Sequence, residues 1–166
     1  FAGTLDYAPN ANAVEHIYRE IAPRLSKTGM PYKIIICGRN SFPEFHYLNE
    51  FFHPNVVKAG EVDNIEHYFT IADAFINPVM IGGGVQTKNM DALSHHCNVV
   101  CFSTMSDGMT TLLWNKLFTC TPNDWDTFVE QMQIAAHQHD ETPSMFFDKY
   151  NWKRIVAELN ERIDKV

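Results

Sequence analysis

The sequence predicts an α/β domain built on a parallel sheet of about six strands with helices on both faces. Three observations carry this. Short β-branched runs alternate with helical stretches along most of the chain, several of the runs are continuously apolar, and glycines follow the ends of the early runs. Continuous apolar runs belong to strands buried on both faces, and strand–helix alternation joins such strands by right-handed crossovers.

Phe1 to Thr4 reads as a first strand. From Asn10, which follows Pro9 and is suited to cap a helix, Val14, Ile17, Ile21 and Leu25 recur at helical spacing. Pro23 inside that pattern predicts a kink or an end, because it lacks the backbone N–H. Lys33 to Cys37 is a buried strand stopped by Gly38. A helix follows around Pro43 to Phe52, then a strand from Asn55 to Ala59 closed by Gly60. Ile65 to Ala72 is a short helix, and Ala74 to Asn77 a fourth strand ending at Pro78. After Gly82-Gly83-Gly84 comes a helix from about Gln86 to His95, then the strand Asn98 to Phe102. Ser103 to Trp114 is the least regular stretch, with turn chemistry at Ser106-Asp107-Gly108. Leu117 to Cys120 is a sixth strand. Asp124 to His137 is a helix through Trp125, Phe128, Val129 and Met132, and residues 151–166 form an amphipathic C-terminal extension carrying Trp152, Ile155, Val156, Leu159 and Ile163.

The chain of 166 residues fits a single domain, 1–166. Because it opens directly in strand-like residues, the expectation is a domain excised from a longer two-domain polypeptide. Thirteen Lys and Arg against 20 Asp and Glu give a formal charge of −7, which repels nucleic acid and anionic membrane. No apolar run approaches the roughly 20 residues of a membrane span, and no basic-then-apolar leader opens the chain, so a soluble, cytoplasmic protein is expected. Cys37, Cys97, Cys101 and Cys120 lie in or beside apolar runs without a Cys-x-x-Cys pair, which favours buried, reduced thiols. His95-His96 has no carboxylate or cysteine at ligand spacing, so no metal is expected.

Ligands of open parallel sheets bind beyond the carboxyl ends of the strands. Gly82-Gly83-Gly84 falls there, just before a helix, where consecutive N–H groups beside the positive end of the helix dipole can cradle an anion. The bland alternative is a plain loop. Lys88 stands in the first turn of that helix, a poor place for a cation unless an anion binds nearby. Asp91 shares a helix face with Lys88; it is either half of a surface ion pair or an acceptor for ribose hydroxyls.

Phe1 to Asn10 (Phe-Ala-Gly-Thr-Leu-Asp-Tyr-Ala-Pro-Asn), Ile21-Ala22-Pro23, Ile36-Cys37-Gly38, Gly60-Glu61-Val62, Asn77-Pro78 and Gly82 to Leu93 resemble, in order and spacing, the C-terminal half of group 1 glycosyltransferases over roughly residues 1–130. The resemblance implies a Rossmann-like three-layer domain, one half of a GT-B fold, that holds a nucleoside-diphosphate sugar for retaining transfer. It also implies a separate N-terminal domain for the acceptor, hexosyltransferase-type chemistry, little activity in the isolated half, and no metal or other cofactor. On it, Gly82, Gly83, Gly84 and Lys88 bind the donor diphosphate, Asp91 the ribose, and Glu61 and Val62 border the base; no catalytic residue is assigned. The family's two glutamates separated by seven residues are here Gly83 and Asp91, and Thr4 and Asn10 stand near its Arg and Lys, which shifts phosphate neutralisation onto Lys88. Two other readings are a sugar-nucleotide epimerase or phosphorylase of the same fold, and a non-catalytic α/β binding or scaffolding module in which Lys88 and Asp91 merely pair on the surface.

Overall fold

The computed structural model describes residues 1–82, 86–106, 109, 113 and 115–163, with 152–154, 158 and 162 described by backbone alone. Helix α1 (Ala8–His16) takes Tyr7 as its N-cap and Pro9 in its first turn, where the missing N–H costs no helical bond. Asn10 is therefore inside the helix and not its cap. Pro23 does not end the helical run either. A π-helical turn at Ile17–Ile21, closed by the Ala22 N–H on the Ile17 carbonyl, precedes it, and α2 (Ala22–Thr28) continues to Gly29. The wider turn gives the proline ring room where a regular turn would set it against a carbonyl. Val14, Ile17, Ile21 and Leu25 are all buried, as their spacing predicted.

The strands form two parallel sheets rather than one. β1 (Ile34–Cys37) pairs with β2 (Val56–Gly60), a 3₁₀ stretch at Pro43–Glu50 standing between them in the chain where a helix was expected. After α3 (Glu66–Ile71) come β3 (Ala74–Asn77), α4 (Thr87–Ser94), β4 (Asn98–Phe102) and β5 (Leu117–Cys120), with β4 in the middle of the second sheet. The expected sheet of six strands is thus five described strands in a pair and a triplet. Phe1 to Thr4, expected as a first strand, makes a single bridge, Ala2 to Cys37, and among the described residues no strand joins β1 to β3. All five positions of β4 are buried, and α4 packs against it together with α5 (Trp125–Ala136). Asp124 caps α5 by accepting the Thr127 N–H at 3.1 Å.

Beyond α5 the chain adds α6 (Ser144–Lys149), which the sequence reading did not foresee, and α7 (Trp152–Ile163), whose Ile155, Val156, Leu159 and Ile163 are exposed. The stretch before α6 is clasped from inside. Lys116, 1 % exposed, donates through Nζ to the carbonyls of His96 and Asp140, each at 2.6 Å. Thr142 donates its hydroxyl to the Leu93 carbonyl at 2.6 Å and its N–H to His96 Nδ1 at 3.0 Å. The four cysteines are free and buried, and burial pushes the Cys97 and Cys101 thiols up to about 11 and about 12. Trp125 lies in the core, while Trp114 is outside the described residues. Among the described residues no helix is long and apolar enough to cross a membrane.

Candidate functional site at the carboxyl ends of the strands

The first and second strand ends meet through glycine backbones. Gly38 donates to the Gly60 carbonyl at 2.7 Å, and Gly3 donates to the Cys37 carbonyl at 3.0 Å. A Cβ on Gly38 would collide with the Gly3 carbonyl oxygen; one on Gly3 would stand 2.8 Å from Asn10 Nδ2 and 3.0 Å from Lys88 Nζ. Both positions need glycine because backbone and side chains already fill the space. Asp6 then fastens the loop after β1: its carboxylate accepts the Ser41 and Phe42 N–H groups at 2.7 and 2.8 Å and Arg39 Nε at 3.1 Å. Burial alone would raise the Asp6 carboxyl, but those three donors outweigh it and hold it below the usual range.

Lys88 is reached from the other sheet. Asn77, the last residue of β3, donates to Asn89 Oδ1 at 2.9 Å, and Asn89 donates to the Met105 carbonyl at 3.2 Å; both asparagines are fully buried. This chain of bonds fixes the first turn of α4 to the end of β3. It carries Lys88 back toward Gly3, where Nζ donates to Asn10 Oδ1 at 2.6 Å and lies 4.9 Å from the centroid of the Phe1 ring. Asn10 in turn donates to the Thr4 carbonyl at 2.8 Å. Burial pulls the Lys88 ammonium down to about 8. No carboxylate pairs with it among the described residues, and the first turn of α4 holds no acid.

Of the residues singled out from the sequence, Glu61 and Val62 border a cavity of about 270 Å³ together with Gly3, Thr4, Gly38 and Arg39. Lys88 adjoins Gly3, so these residues share one edge of the molecule. Gly82 sits against Gln86 and Met105, its Cβ position 3.1 Å from Gln86 Nε2. Gly83 and Gly84 lie outside the described residues. Asp91 is exposed one turn further along α4, and its ion pair with Lys88 is absent because Lys88 turns inward to Asn10. Three residues escaped the sequence reading: Asn10 as a tether, and Asn77 and Asn89 as the clamp on α4. Their signal was a polar residue at a core-facing position, as with Asn10 beside the buried Ala11, Ala13 and Val14.

The arrangement sets Lys88, desolvated and, among the described residues, held by neutral partners, next to Gly3 at the border of a cleft lined in part by glycine backbone and by Arg39, which Asp6 neutralises. Compared with known protein families, residues 1–137 match the sequence model of the glycosyl transferases of group 1. No curated protein matches the chain.

Proposed function

The chain belongs to the group 1 glycosyl transferases, and we propose that the edge formed by Gly3, Gly38, Glu61, Val62 and Lys88 binds the nucleoside-diphosphate part of a sugar donor. In this reading the domain is the Rossmann-like, donor-holding half of a GT-B enzyme. It transfers a hexosyl group with retention to an acceptor presented mainly by an N-terminal domain, in the cytoplasm, and it turns over little alone. Lys88 and the backbone of Gly82, Gly83 and Gly84 take the diphosphate, Asp91 the ribose hydroxyls, and Glu61 and Val62 flank the base.

The observation that carries this is Lys88 itself. A largely buried ammonium whose protonation is penalised by burial, with no carboxylate partner among the described residues, gains a counter-charge when phosphate arrives. The departing diphosphate is then stabilised by a fixed cation and by N–H groups, which needs no metal ion. Because Lys88 turns to Asn10, the surface pair with Asp91 on which a purely scaffolding role was based is missing.

Calorimetry with UDP, GDP and ADP against the matching nucleosides tests the reading. The parent chain should bind at least one diphosphate more tightly than its nucleoside, and Lys88→Ala should erase most of that difference. Asp91→Ala should instead lower affinity for the ribonucleoside and blunt its preference over the 2′-deoxy analogue. Binding of none of these by the domain combined with its acceptor-side partner would return the scaffolding role, and sugar-nucleotide turnover without acceptor would point to an epimerase.

A further inference from the structure

The cleft at the ends of β1 and β2 holds about 270 Å³, less than the roughly 300–1,000 Å³ of pockets that enclose a whole ligand, so it suits one ring system of a larger molecule. Its charged walls come from neighbouring strand ends. Arg39 and Glu61 directly follow Gly38 and Gly60, whose backbones bond at 2.7 Å, and both line the cleft. Val62 and Ile65 add apolar surface on which a flat ring can pack.

Arg39 is set before any ligand arrives. Its Nε donates to Asp6 Oδ2 at 3.1 Å, while Asp6 Oδ1 is held by the Ser41 and Phe42 N–H groups, and the Asp6 side chain is 2 % exposed. Because Asp6 cancels the charge of the guanidinium, Arg39 is not a second anchor for phosphate. Its two Nη amino groups make no hydrogen bond among the described residues, so a guanidinium fixed at Nε leaves a preset fork of donors. Glu61 is exposed, and among the described residues its carboxylate takes neither an ion pair nor a hydrogen bond, although Arg39 lines the same cleft. A fork of donors, a pair of free acceptor oxygens and an apolar bed thus meet in one ring-sized space. Guanine matches all three: N7 and O6 are neighbouring acceptors, and N1–H and the 2-amino group are neighbouring donors. Uracil sets a single N–H between two carbonyls, which a carboxylate repels. Adenine offers the fork N7 alone and turns the bare N1 toward a carboxylate that binds its 6-amino group.

We propose that Arg39 and Glu61 select guanine as the base of the bound nucleotide, the Arg39 Nη groups donating to N7 and O6 and the Glu61 carboxylate accepting N1–H and the 2-amino group, with Val62 and Ile65 against the ring. Asp6 is the positioning residue of the fork. The assignment rests on the donor role proposed for this edge and narrows the donor to a guanosine diphosphate sugar.

Calorimetry on the 166-residue chain compares GDP with UDP, ADP and inosine diphosphate, which is GDP without the 2-amino group. GDP should bind about tenfold or more tighter than UDP or ADP, as one good bidentate base contact provides, and inosine diphosphate should fall between. Arg39→Met should remove most of the preference for GDP over ADP. Glu61→Gln, at an exposed position where folding is little disturbed, should bring GDP down to inosine diphosphate and leave ADP binding nearly unchanged. UDP or ADP bound as tightly as GDP overturns the guanine assignment and leaves the donor role standing. So does an equal loss for all the diphosphates in Arg39→Met, which would make Arg39 a phosphate contact. Inosine diphosphate bound as well as GDP by the parent chain overturns the Glu61 contact. Binding of no diphosphate at all overturns the donor role and the assignment with it.

Discussion

The Nζ of Lys88 and the Oδ1 of Asn10 are 2.6 Å apart although 78 positions separate them in the chain. Through this bond the start of α4, fixed to the second sheet by Asn77 and Asn89, is tied to α1 and, through Thr4, to the loop that leaves the first strand segment. The proposed phosphate contact is thereby preset by neutral groups, leaving its charge available to a ligand.

Removing that charge should be selective. Lys88→Ala should weaken nucleoside diphosphate binding by roughly 1.5–3 kcal/mol, the range for a hydrogen bond to a charged group, and leave nucleoside binding nearly unchanged. Isothermal titration of both ligand types reads the difference.

The same lysine sets a pH limit. Its folded value of about 8 lies below the ordinary 10.5, so in the free domain the proton is lost above pH 8, while bound phosphate would favour keeping it. Diphosphate affinity should therefore decline as pH rises from 8 to 10, with net proton uptake on binding in that window. Calorimetry in buffers of different ionisation enthalpy measures the uptake.

Asn10→Asp would supply the carboxylate that Lys88 now lacks. The ammonium should then titrate above its present value of about 8, and diphosphate affinity should drop by about tenfold or more, since close opposite charges are worth a few kcal/mol in such surroundings. An affinity equal to that of the parent would show that the lysine is not the phosphate contact.

Gly3→Ala tests the close approach. Its Cβ would sit 2.8 Å from Asn10 and 3.0 Å from Lys88, so the tether has to move. A destabilisation of roughly 1–3 kcal/mol is expected, as for overpacking generally, together with weaker diphosphate binding. Denaturant titration and the ligand calorimetry check the two effects.

Stability should peak near pH 9. Burial lowers His16, which binds its proton better in the unfolded chain, so stability rises as pH increases through the ordinary histidine range. Lys88, at about 8 against 10.5 when free, acts in the same direction above pH 8. Above pH 9 the sign reverses because two thiols outweigh one amine: Cys97 and Cys101, at about 11 and about 12 against 9.0, ionise first in the unfolded chain. Each then withdraws about 1.4 kcal/mol per pH unit until its folded value is reached. Thermal midpoints across pH 6 to 11, repeated with Cys101→Ala, separate the two limbs.

Much of the fold was legible because burial on both faces leaves a plain mark. Ala74 to Asn77, Asn98 to Phe102 and Leu117 to Cys120 are strands at the bounds read from their apolar runs. The misreadings arose where a local rule met a tertiary one. Pro23 stops an isolated helix, yet a π turn absorbed it, and Asn10 resembles a cap but is recruited by Lys88 from the far sheet. The split of the sheet could not be read locally, because it depends on which distant strands pair and not on the pattern within any one run. At the site, Lys88 was legible from its misfit with the helix dipole. Its partner was not, since no sequence spacing links positions 10 and 88.

The clasp around Lys116 bears on where this unit can be cut. The family match stops at residue 137, but the ammonium inside the match finishes its hydrogen bonding on Asp140, Thr142 is anchored to Leu93 and His96, and Phe146 is 4 % exposed. A boundary drawn at the edge of sequence likeness would uncap a cation in the interior. The cooperative unit, as defined by its own bonds, therefore reaches at least into α6, and a shortened version ending at His137 would be a different and weaker protein rather than a minimal one.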